Sequence, residues 1–389
     1  MRSIFAVLTL IAATSAEAQS CGGSFGKFVD DLKAEARAMG YPSGAVDAFF
    51  RGVQRDEAVL RADRRQGIFQ KDFITFSRSL ISQNRIDNAA RNSQRYDATF
   101  RQIEREFGIP RGVLLAFWAF ETDFGQVQGD FNTRNALVTL AHDCRRPEIF
   151  RPQILAAIDL SMHGDFDPET TTGAWAGEIG QVQMLPKDIR DNGRDGDGDG
   201  HVKVKTSAPD ALLSAGSMLS DLGWQANQPW MTQITVPSNL DWSQTGINHV
   251  KSVREWERLG VKARTGDLGN TGLQASVLLP VGHKGPAFLV YANFRVYFEW
   301  NQSLTYVTTA AYFATRIMGA PIYDAGTPDD GLTGEQMLEL QRKLAARGYD
   351  VGDIDGILGE KTREAVQMEQ KRLGLPADAW PTPALLGKL

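Results

Sequence analysis

The sequence predicts an α+β chain that is mainly α, and three observations carry the prediction. Apolar residues recur at three- and four-residue spacing through most of the chain, the interval Pro229 to Phe298 is β-rich, and the tail holds two short amphipathic helices. At 389 residues there is room for two or three domains. The expected division is a leader at 1–18, a main body at 19–322, a linker at 323–332 and a small module at 333–389.

The leader reads as a signal peptide. Arg2 precedes the apolar run Ile4 to Ala13, which is too short to span a membrane, and Ala16-Glu17-Ala18 forms a small-x-small cleavage pattern. The mature chain then starts near Gln19 in an oxidising export compartment, and no later stretch reaches transmembrane length. Cys21 lacks the Leu-x-small-small context of a lipid anchor, so none is expected. Cys144 is the only other cysteine, and the pair is expected as a disulfide, Cys21 to Cys144. The formal charge of -5 offers no basic field, which argues against a nucleic-acid partner.

From Phe25 to Phe107 the spacing is helical: Phe25, Phe28, Val29 and Leu32 share a face, and Phe69, Phe73 and Phe76 form a core stripe. Gly112 to Gly125 follows as a short buried helix, with Pro110 suited to its first position and Gly125 to its exit. Leu114, Phe117, Trp118 and Glu121 fall on one face, so the Glu121 carboxylate looks inward. Burial among aromatics and the negative end of the helix dipole would raise its pKa, leaving an acid able to protonate a glycosidic oxygen. The plainer alternative is a polar residue that ends a core helix and points to solvent.

Asn135 to Ala141 and Phe150 to Met162 are further helices. Between them Arg145 and Arg146 are either a clamp for a carboxylate or N-acyl sugar group or a solvated pair. Gly173 to Pro186 carries glycines at 173, 177 and 180, which permit close backbone approach to a neighbour or a ligand. In the same stretch Gln183 can donate and accept hydrogen bonds, and Gly177, Glu178 and Gln183 are candidate substrate-binding residues.

Asp195, Asp197 and Asp199 alternate with glycines, a spacing that can surround one hard cation. By the logic of a calcium loop His201 offers its main-chain carbonyl. The twelfth position is Thr206 rather than Glu, with Asp210 as the substitute, so a structural Ca2+ site of variant form is expected. Met231 to Val236, Gln274 to Leu279 and Ala287 to Tyr297 read as β segments, and Tyr306 to Met318 as a closing helix. Asn301 and Tyr306 could bind a sugar, although Asn301 also suits a helix cap. In the tail, Thr333-Gly-Glu-Gln336 forms a capping box for the first helix.

Together the motifs make the body resemble the lytic murein transglycosylase B family. They are Glu-Thr-Asp-Phe-Gly at 121 to 125, Asp-Cys-Arg-Arg-Pro-Glu at 143 to 148, Gly-Ala-Trp-Ala-Gly-Glu at 173 to 178, the Asp-Gly-Asp-Gly loop and Asn-x-Ser at 301 to 303. The tail resembles a peptidoglycan-binding module through Leu340-Gln341, Gly348-Tyr349, Asp355-Gly356, Thr362-Arg363 and Ala365-Val366.

The resemblance implies a lysozyme-like fold with a β-containing insertion, a periplasmic monomer, and cleavage of the MurNAc to GlcNAc β-1,4 bond of peptidoglycan with 1,6-anhydro ends. It makes Glu121 the catalytic residue, Gln183, Asn301, Tyr306, Arg145 and Arg146 glycan contacts, and the aspartate loop a calcium site. No organic cofactor is implied. Two departures stand out: Met184 and Lys187 replace an aromatic and a serine, and Glu369 occupies an aromatic position of the tail. Glu178 sustains a rival reading, a muramidase-type hydrolase with two carboxylates. A non-catalytic wall-binding scaffold is the other.

Overall fold

Three- and four-residue apolar spacing folds here as a stack of helices around one aromatic core. The computed structural model describes residues 21–64 and 71–389; the expected signal peptide and Phe69 lie outside the described residues. Helices Phe25–Ala38, Ser43–Phe50, Glu57–Arg64, Phe73–Leu80, Gln83–Arg95 and Asp97–Phe107 surround the helix Arg111–Thr122, which is buried from Gly112 to Ala119. That central helix packs along Leu304–Ile317, and the approach is so close that a Cβ on Gly112 would lie 2.8 Å from the Ala314 carbonyl.

The central helix ends earlier than its sequence predicts. Pro110 is the extended residue before the helix, and Asp123 and Phe124 both adopt positive φ, so the exit lies at Thr122 rather than Gly125. The Thr122 hydroxyl explains the turn: it accepts from Gly125 N at 2.8 Å and donates to the Gln181 carbonyl at 2.5 Å.

A pair of two-residue strands, β1 (Phe131–Asn132) and β2 (Thr172–Gly173), is followed by an antiparallel sheet. Its strands are β3 (Met231–Thr235), β4 (Lys251–Ser252), β5 (Lys262–Ala263), β6 (Gln274–Leu278) and β7 (Ala287–Tyr291), in the order β4-β6-β7-β3-β5. A second apolar cluster, with Trp256, Val277 and Leu289 at its centre, lies on this sheet. The strand predicted for Ala287 to Tyr297 stops at Tyr291, and Ala292–Trp300 is a helix. Aromatic composition suggested a strand, but Asn293, Phe294, Val296 and Tyr297 bury one helical face. The Asn293 amide ties that face down through the Gln225 and Gln228 carbonyls, each at 2.9 Å.

Cys21 and Cys144 are joined by a disulfide, and Gly22 N donates to the His142 carbonyl beside it. Residues 321–332 form neither helix nor strand, yet Tyr323 is buried and its phenol lies 2.9 Å from the Ser77 hydroxyl. The tail folds as Gly334–Ala346, Glu360–Arg372 and Pro383–Leu386 around Met337, Leu340, Leu344 and Val366, and the Thr333 capping box is formed. Among the described residues no helix is long and apolar enough to cross a membrane.

Candidate active site

The central helix delivers Glu121 on its last turn, at the edge of the aromatic core. Two donors from the far end of the body converge on one of its oxygens. Trp300 Nε1 donates to Glu121 Oε1 at 3.0 Å, and the Tyr306 phenol donates to the same atom. Trp300 stacks on Phe117 with ring centroids 4.4 Å apart, while Phe120 meets the Tyr306 ring edge-on at 6.1 Å. Residues 117, 120, 300 and 306 therefore enclose the carboxyl in aromatic surface.

Burial dominates the electrostatics. It pushes the Glu121 carboxyl above the usual carboxylate range, and the Tyr306 and Trp300 hydrogen bonds, which favour the ionised form, oppose it without prevailing. Burial, then the neighbouring Glu121 charge, lifts the Tyr306 phenol well above its ordinary value, so it remains a donor. Because both donors bind Oε1, Oε2 is the oxygen left to carry a proton.

The second wall is the hairpin at 173–184, closed by a bridge between Ile179 and Met184. The Thr122 bond to Gln181 fastens it next to Glu121. Gln183 holds positive φ and its amide donates to the Gly180 carbonyl at 2.8 Å. The glycines serve the hairpin itself: a Cβ on Gly173 would collide with the Glu178 carbonyl, one on Gly177 with Leu137, and one on Gly180 with the Val204 carbonyl. The absent Gly177 side chain would point into packed protein at Leu137. Met184 is buried in the core, and Lys187 is an exposed partner of Asp191 at 2.6 Å.

Glu178 is the second carboxyl of this region. Its Oε2 is buried without a hydrogen-bond partner. Burial raises its pKa, the Glu121 charge raises it further, and Arg146 pulls the other way. Arg145 and Arg146 do form a clamp, but the carboxylate they hold is the chain's own: both grip the buried Asp63, Arg145 at 2.6 Å. Asn301 caps the preceding helix and its Oδ1 accepts from Ser303 N at 2.9 Å.

In the aspartate loop, carboxylate oxygens of Asp195, Asp197 and Asp210 lie within 4.8 Å of one another. Asp210 is fully buried and accepts from Gly196 N and Lys203 N, which aims both turns of the loop at one point. Three converging oxygens suit a hard cation. Asp199, expected in the set, turns instead to the Lys203 ammonium at 3.0 Å, and the His201 ring pairs with Asp165 at 2.9 Å. The loop braces the hairpin, since Gln181 N donates to the Val204 carbonyl at 3.0 Å and Lys205 Nζ to the Thr172 carbonyl at 2.7 Å.

Trp300 is the site residue that the sequence did not single out. It read only as the lead into the closing helix, and the spacing to Glu121, 179 residues away, contains no local signal.

The transglycosylase SLT domain model matches residues 24–315, and the putative peptidoglycan binding domain model matches residues 333–389. Membrane-bound lytic murein transglycosylase B of Escherichia coli (strain K12) is 22% identical over 237 residues, 60% of this chain and 64% of that protein. The crystal structure of SltB3 from Pseudomonas aeruginosa in complex with NAG-anhNAM-pentapeptide superposes with a TM-score of 0.86 at 36% identity, covering 94% of this chain and 99% of that one. The Escherichia coli lytic transglycosylase Slt35, solved in complex with calcium, shares the fold at a TM-score of 0.65 and 21% identity over 77% of this chain and 96% of that one.

Proposed function

The chain belongs to the SLT-domain lytic transglycosylases of peptidoglycan, and from that premise we propose that Glu121 is its single acid and base. The observation that carries this reading is the placement of two donors on Oε1 of a buried carboxyl, with Oε2 left for the proton. In the forward step Glu121 gives its proton to the glycosidic O4 as the C1–O4 bond of a muramoyl residue breaks. The substrate's N-acetyl group stabilises the cationic C1. The carboxylate, supported by Tyr306 and Trp300, then removes the proton from O6, and O6 closes on C1. Atoms balance without water, the product ends in a 1,6-anhydro sugar, and Glu121 is again protonated.

Gln183, Asn301 and Tyr306 are the proposed glycan contacts, with Arg145 and Arg146 supporting that wall through Asp63. Asp195, Asp197 and Asp210 would hold a calcium ion that supplies no step of the reaction but relieves the repulsion among three carboxylates and fixes the loop behind the hairpin. The proposed location is the periplasm, as a soluble monomer.

The two-carboxylate hydrolase is the rival that Glu178 keeps open. An ionised nucleophile or base is needed there, and burial beside Glu121 holds Glu178 toward its neutral form. Mass spectrometry of digested peptidoglycan separates the readings: anhydro ends support transglycosylation, and products heavier by one water would overturn it.

A further inference from the structure

The C-terminal module is seated on the body rather than tethered to it. Gln367 Nε2 donates to the Trp242 and Thr245 carbonyls at 3.1 and 2.9 Å, and Asp378 pairs with His283 at 2.5 Å. Trp380 fits so closely against Gly282 and Gly331 that a Cβ on either would meet its ring. Between body and module this leaves a cavity of about 440 Å³. One wall is Lys71 to Thr75 with Gln302 to Thr305, which lie between the proposed glycan contacts Asn301 and Tyr306; the other is the segment Pro328 to Leu332, Gly356 to Gly359, Arg363 and Trp380.

Arg363 is the unusual member of this lining. Its guanidinium lies over the Trp380 ring at 5.9 Å and donates to the Pro280 carbonyl at 2.7 Å, while Nε is buried with no partner. No carboxylate among the described residues is hydrogen-bonded to it, and burial pulls it down to about 10 with only the more distant Asp378 opposing. A guanidinium with a buried, unpartnered nitrogen and no hydrogen-bonded anion is costly, and the chain retains one on the wall of this cavity. Lys71 adds a second, exposed cation to the opposite wall. Phe73, Leu304 and Trp380 offer apolar surface between the two.

We propose that the seam between body and module is a binding site for the carboxylate-bearing stem peptide of peptidoglycan, held between Arg363 and Lys71. The proposal rests on the reading that peptidoglycan is the substrate. A cavity of this volume takes a few residues of extended peptide. Its position along Gln302 to Thr305 puts that peptide beside the strand whose sugar reaches Glu121, so the module would select glycan that still carries peptides.

Calorimetric titration of the full chain with free stem tetrapeptide tests this without any turnover. Binding by wild type is expected, with affinity falling about tenfold in Lys71→Gln and in Arg363→Gln and unchanged in Glu121→Gln. Steady-state kinetics give the second readout: both seam variants should raise KM for peptide-bearing glycan, leave kcat unchanged, and leave peptide-free glycan unaffected. Absence of peptide binding to wild type overturns the proposal, as does an equal loss on both glycans. Lys71 is exposed, so its variant answers even where Arg363→Gln unfolds the module. Peptide binding without anhydro product would sink the proposed reaction and leave the seam standing.

Discussion

The phenol of Tyr306 donates to Glu121 Oε1 across 185 residues of sequence, and burial raises the pKa of both groups. The bond favours the carboxylate, so it acts against burial and keeps the Glu121 acid from becoming too weak to release its proton. Tyr306→Phe removes that support, and the Glu121 pKa should rise further. The alkaline limb of the pH-rate profile, which reports loss of protonated Glu121, is expected to move to higher pH. An unmoved limb would show that Tyr306 does not tune the acid.

Glu121→Gln should lower the rate of anhydro-product release by about 10²- to 10⁴-fold, the usual range for a general acid or base. Stability should move the other way. The folded-state pKa lies above the reference value of 4.5, so the stability linked to the protonated acid is present below pH 4.5 and is lost as pH rises through the folded value. Glutamine does not titrate. The melting temperature of the variant, measured against wild type, should therefore gain with rising pH, and a constant difference would contradict the raised pKa.

Much of this arrangement was legible in residues 112 to 125, because a short apolar helix ending in one acid leaves few places for the carboxyl to go. What the sequence could not supply was the far side of the site. Tyr306 reaches Glu121 through the packing of Leu304–Ile317 along the central helix, a close approach at Gly112, and Trp300 reaches it from the end of Ala292–Trp300 by stacking on Phe117. The same limit explains Arg145 and Arg146: adjacency was visible, but their anion is Asp63, some eighty residues earlier and buried by the fold. It also explains Asp199, whose alternating spacing matches a ligand set while its carboxylate pairs with the Lys203 ammonium.

Glu178→Gln discriminates between one-carboxylate and two-carboxylate chemistry. Glutamine keeps the shape and neutrality that burial imposes, so activity should stay within about tenfold of wild type and products should remain anhydro. A loss as deep as that of Glu121→Gln would mean that Glu178 must ionise, which the proposed mechanism does not allow.

Calcium should act on stability rather than on the chemical step. With Asp195, Asp197 and Asp210 converging on one point, binding at a hundredfold excess over Kd contributes about 2.7 kcal/mol. Melting curves with added calcium should shift upward, chelator should reverse the shift, and Asp197→Asn should abolish it. Because Val204 and Lys205 brace the hairpin, chelation near the melting point should also reduce activity, whereas at low temperature kcat should hold. An identical melt with and without calcium would remove the ion from the site.

The tail supplies the last expectation. Glu369 is fully buried where the resemblance predicts an aromatic, and the structure provides for it: Arg372 reaches its oxygens at 2.7 and 2.9 Å, and the Tyr349 phenol donates at 2.9 Å. The Arg372 bonds hold its carboxyl below the ordinary value of 4.5, with Tyr349 assisting and burial opposing. A depressed pKa contributes stability above the unfolded value that disappears as pH falls through the folded one. Glu369→Gln should therefore cost the module about 2 kcal/mol near neutral pH, and the cost should shrink as the solution is made acid. Calorimetric unfolding at neutral and acid pH measures both values, and a cost independent of pH would show that shape rather than charge keeps Glu369 in the core.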